Sequence, residues 1–72
     1  MSTKEIAKEL RKKLESINDD QDFIIGVMSN APYVDDRKAI LDYIEKGEEE
    51  ITEEGIILLS VYLGQIRENS NG

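Results

Sequence analysis

Apolar residues at Ile6, Ala7, Leu10, Leu14 and Ile17 recur at the spacing of one helix face, and Lys4, Lys8, Arg11 and Lys12 gather opposite them. This pattern predicts a helix over residues 3–17. Ser2 and Glu5 fit a capping box at its start, in which a hydroxyl accepts an otherwise orphaned N–H and a carboxylate reaches back. Asn18, Asp19 and Asp20 interrupt the periodicity and cap a second helix over 20–29. That stretch (Phe23, Ile24, Ile25, Val27, Met28) is apolar nearly all round, so a short buried strand competes for it. Helix is preferred, because the chain offers no second strand for pairing.

Asn30-Ala31-Pro32 is a stop, since proline disfavours helical dihedrals in the residue before it. A third helix follows over 35–46, with Asp35 as N-cap and Gly47 placed to take a positive φ. Ala39, Ile40, Leu41, Tyr43 and Ile44 supply its buried side. Thr52 caps a fourth helix carrying Ile56, Ile57, Leu58, Leu59, Val61, Tyr62, Leu63 and Ile66. A helix so apolar on every side is expected at the centre of the fold. The prediction is an all-α, compact four-helix domain over 1–67, with residues 68–72 as a flexible polar tail. Gly26 and Gly64 fall inside helices, where glycine costs about 1 kcal/mol against alanine. A close crossing of the second and fourth helices accounts for both; alternatively either glycine marks a helix end.

At 72 residues the chain has room for one domain. A core this small rarely nets more than ~3–5 kcal/mol unaided, so self-association or a partner is a reasonable source of further burial. The chain has no Cys and no His, which removes thiolate chemistry, disulfides, the usual zinc sites and the side chain best suited to proton transfer near neutral pH. No cofactor is expected. The charged start is unlike a signal peptide, and the longest apolar run, Ile56-Ile57-Leu58-Leu59, falls far short of the roughly 20 residues that cross a bilayer. A cytoplasmic location is the expectation.

The net charge of −7 is unevenly placed. Residues 1–17 hold five cations against three acids, and residues 18–72 hold four cations against thirteen acids. Asn18, Asp20 and Asp22 match the first ligand positions of a calcium loop. Phe23 stands where the obligatory glycine belongs and Ser29 where the bidentate glutamate does, so these acids read as caps. Ser60 has no base to activate it and reads as a packed helix residue. Acyl carrier proteins share the size, acidity and four-helix outline, but their Asp-Ser-Leu attachment site is absent, and no family resemblance is carried.

These features point away from an enzyme and toward a small acidic protein-binding module, an inhibitor or modulator of phage or bacterial style. Carboxylates spaced along a surface imitate duplex phosphates and compete for a basic, nucleic-acid-binding protein. Its expected interface comprises Asp35, Asp36, Asp42 and Glu45 on the third helix, and Glu48, Glu49, Glu50, Glu53 and Glu54 at the following connector. Tyr33, beside Pro32, is the best aromatic anchor, whereas Tyr43 and Tyr62 suit the rim of the core. Direct binding to nucleic acid or membrane is disfavoured by the charge. Two alternatives stand. One is a helix-turn-helix DNA-binding regulator using the second and third helices, with Arg37 and Lys38 facing phosphates. The other is a self-associating assembly subunit, for instance a homodimer.

Overall fold

The computed structural model describes residues 2–47 and 50–71; the side chain of Asn71 is outside that description. Four helices follow in order: α1 (Thr3–Ile17), α2 (Gln21–Asn30), α3 (Val34–Lys46) and α4 (Glu53–Asn71). No strand occurs among the described residues, so 23–28 is helical, as preferred.

The caps follow local chemistry. The Ser2 hydroxyl accepts from the Glu5 N–H at 3.2 Å and donates to the Glu5 carboxylate at 3.3 Å, closing the box through its side chain. Asp20 accepts from the Asp22 N–H at 2.9 Å. Gly47 ends α3 at φ 55°, a left-handed conformation that favours glycine. Thr52 Oγ1 accepts from the Gly55 N–H at 3.1 Å. The third helix departs from expectation. Its N-cap is Tyr33, with no side-chain cap, and Asp35 lies one residue inside the first turn. The Arg37 N–H already reaches the Tyr33 carbonyl at 3.1 Å, so the helix closes before Asp35 can cap it. At the other end, α4 runs on through residues 68–71, which polarity alone assigns to a tail.

The core is one cluster. Leu10 and Leu14 enter it from α1, Phe23, Ile24, Val27 and Met28 from α2, and Ile40 and Leu41 from α3, with Ile6 buried outside it; from α4, among the described residues, only Ile56 and Ser60 are fully buried. Helix α1 lies along α3, and α4 packs on α2 and α3. Much of the apolar surface of α4, expected at the centre of the fold, faces solvent. Leu58 is 69% exposed and Tyr62 60%, with Ile57, Val61 and Ile66 exposed beside them. Three short helices have too little surface to wrap a fourth that is apolar on every side. Tyr62 is therefore not a core-rim residue, while Tyr43 packs against the core.

Small residues set how α4 meets α2. The buried Ser60 hydroxyl donates to its own turn at Ile57 O, 2.7 Å, and accepts from Asn30 Nδ2 at 3.5 Å. One turn on, a Cβ added at Gly64 would stand 3.2 Å from the Asn30 carbonyl oxygen. The close crossing predicted from the two glycines is thus real at Gly64. Gly26 has no part in it, for a Cβ there meets nothing within 4 Å.

Candidate functional site

Two arginines are used inside the fold, among them Arg37, which the helix-turn-helix reading sets against phosphates. Arg37 Nε donates to Ala31 O at 2.6 Å, and its terminal nitrogen donates to Met28 O at 3.2 Å. Both carbonyls belong to the C-terminal turn of α2, which has no basic residue of its own. Arg37 therefore caps a neighbouring helix, supplying donors to carbonyls that lack partners within it. Only Lys38 and Lys46 remain as exposed cations on α3.

Arg67 makes a two-pronged bond to Asp36, at 2.9 and 3.0 Å, and its guanidinium lies 4.3 Å from the centre of the Tyr33 ring. The hydrogen bond to Asp36 is the main cause holding the Arg67 pKa above its ordinary value, against partial desolvation. Asp36 is 7% exposed, so this expected interface acid is a buried structural group instead. The periodicity of α3 carries the signal for this inward turn, because position 36 lies on the same side as Ile40. The pair fastens the C-terminal half of α4 to the start of α3. Beside it, a groove of about 410 Å³ opens between the end of α2 and α4, lined by Asn30, Tyr33, Val61, Gly64 and Arg67 among others. Its one cation is already matched by Asp36 and Tyr33.

The acids are distributed differently from the sequence expectation. Asp35, Asp42 and Glu45 are exposed on α3, but Lys38 and Lys46 interleave with them, so that face is mixed. Glu48 and Glu49 lie outside the described residues. Glu50 and Glu54 are exposed. Glu53 is half-buried and accepts from Asn18 Nδ2 at 2.8 Å. This bond is the informative one, since Asn18 Oδ1 also accepts from the Asp20 N–H at 2.9 Å. One side chain thereby ties the α1–α2 junction to the start of α4. It places Asp19, Asp20 and Asp22 at the same end of the molecule as Glu50, Glu53 and Glu54, in two segments that contain no cation.

Two helix N-termini, those of α2 and α4, open at this acidic end, and their positive dipole ends favour the first-turn carboxylates. Asp19 and Glu50 lie before those turns and add charge beyond what the helices need. Among the described residues the only ion pair is Arg67–Asp36, so no other carboxylate there is neutralised by a neighbouring cation within 4 Å. Nor do the described acids form a group able to hold a metal ion.

Sequence reasoning missed two surfaces. The junction acids were legible only as caps, because their meeting with residues 50–54 depends on the α1–α4 approach. The apolar outer face of α4 was assigned to the core. No described helix is long and apolar enough to cross a membrane. Compared with known proteins, the chain matches no family model, no curated protein sequence and no solved structure.

Proposed function

We propose that the chain is a non-enzymatic protein-binding module that docks its acidic end on a basic protein, blocking or tuning it. The observation that carries this reading is the convergence of Asp19, Asp20, Asp22, Glu50, Glu53 and Glu54 through the Asn18 bridge, with no cation paired to them among the described residues. Surplus negative charge left unneutralised raises the rate of encounter with a positive surface and makes that rate sensitive to salt. The helix-turn-helix alternative is weakened by Arg37, whose guanidinium is occupied by Ala31 O and Met28 O and is not free for phosphate.

The test is affinity capture from bacterial lysate with the full chain as bait, washed at graded salt and read by mass spectrometry, beside the charge-reversed Glu50→Lys/Glu54→Lys variant. Both positions are exposed, so the fold should persist. The reading expects a basic protein retained by the wild type, released by salt and lost from the variant. Retention that ignores the reversal would refute it, as would a mobility shift of genomic DNA by the wild type at low salt.

A further inference from the structure

The outer face of α4 is the largest feature that the acidic end leaves unexplained. Leu58, Tyr62 and Ile66 are 69%, 60% and 43% exposed and recur every fourth residue, forming one ridge along the helix, with Val61 and Ile57 on its shoulder. Nothing in the run from Gly55 to Ile66 is charged. A basic partner has no carboxylate to find there, so this face selects on shape and apolarity.

The ridge is symmetric about its own middle. A two-fold axis through Tyr62 lays a second α4 antiparallel on the first, with Tyr62 on its counterpart and Leu58 across from Ile66. The same rule sets Glu54 opposite Ser70, so no acid of the ridge side meets an acid head-on. Such self-complementarity is what a closed two-fold interface requires. The five exposed side chains present roughly 500 Å² between them, so pairing two copies removes at most on the order of 1,000 Å² from water, the size of a weak, concentration-dependent interface. The Arg67–Asp36 clamp and the Ser60–Gly64 contact with α2 hold the inner side of α4, which keeps the ridge in place.

We infer that the chain forms a homodimer through an antiparallel α4–α4 contact centred on Tyr62, on a ridge that begins one turn beyond Glu54 of the acidic end. Each copy carries a net charge of −7, so the copies repel at long range and the dimer tightens with salt, opposite to the sign for a basic partner at the acidic end.

Sedimentation analysis of the full chain from about 5 to about 500 μM, at 50 and 500 mM NaCl, tests this. The expected result is a monomer–dimer transition whose midpoint falls to lower concentration at high salt. Leu58→Glu should raise the midpoint about a hundredfold, since the interface contains that residue twice. Ile25→Glu, at a comparably exposed site on α2, should leave it unchanged. Because the chain has no cysteine, single cysteines report the geometry directly. Under mild oxidant Tyr62→Cys should link to itself, and Leu58→Cys should link to Ile66→Cys in a mixture but not to itself, its counterpart lying about 12 Å away along the helix. A monomer throughout, equal loss with Ile25→Glu, or self-linking of Leu58→Cys as fast as Tyr62→Cys would each overturn the inference.

Discussion

The two helical glycines offer a paired perturbation whose outcomes differ for a structural reason. Each alanine substitution restores the same helix propensity, about 0.5–1 kcal/mol, largely by restricting the unfolded chain. At Gly26 nothing opposes that gain, because the new methyl lies in open space with no atom within 4 Å. Gly26→Ala should therefore stabilise by about 0.5–1 kcal/mol, raising Tm by roughly 2–8 °C in a domain of this size. At Gly64 the methyl comes to 3.2 Å from the Asn30 carbonyl oxygen. That neighbour is backbone at the end of α2. It cannot swing aside like a side-chain tip, so α2 and α4 must separate by a few tenths of an ångström along a contact shared with Ser60. Overpacking of this kind costs about 1–3 kcal/mol, which cancels or exceeds the propensity gain. Gly64→Ala should be neutral to about 2 kcal/mol destabilising. Urea titrations followed by circular dichroism, with thermal melts beside them, measure both. If Gly64→Ala stabilised as much as Gly26→Ala, the claim of a close α2–α4 crossing would be refuted.

Arg37→Ala removes both donors from the C-terminal turn of α2 and should cost about 2 kcal/mol, near the low end for charge-assisted bonds because the side chain is half-exposed. Urea melts check it, and Arg37→Lys should recover only part, since an ammonium lacks the planar fork that serves two carbonyls. Asp36→Ala should lower Tm by a few degrees, and combining it with Arg67→Leu should cost less than the sum of the single changes. The guanidinium of Arg67 is held above its ordinary value. Its stabilising share is therefore complete below that ordinary value and is lost only as pH rises through the raised one. The Tm difference between wild type and Asp36→Ala should accordingly be the same at pH 7 and pH 9; a shrinking gap would contradict the assignment.

Helix α1 was legible in full: its start, its end and its buried side (Ile6, Leu10, Leu14) all follow from spacing and caps within the segment itself. Asp20, Thr52 and Gly47 were legible for the same reason, since a cap is an interaction between near neighbours in the chain. The class of fold follows too, because four amphipathic or apolar helices joined by short turns have few ways to bury their apolar sides.

Where charge and apolar surface end up is a different matter, because it depends on which segments meet. Arg37 looked like a phosphate contact until the last turn of α2 was placed beside it, and Asp36 looked exposed until Arg67 arrived from thirty-one residues away. The acidic end forms because packing sets the α1–α2 junction beside the start of α4, where Asn18 donates to Glu53. Composition gives α4 more apolar residues than any other helix, but composition is silent on how many neighbours are available to cover it. Helices α2 and α3 cover one side, and the ridge from Leu58 to Ile66 is left facing solvent. Caps and periodicity are short-range properties that a single segment carries with it, whereas burial is shared out among all four helices and is settled only by their packing.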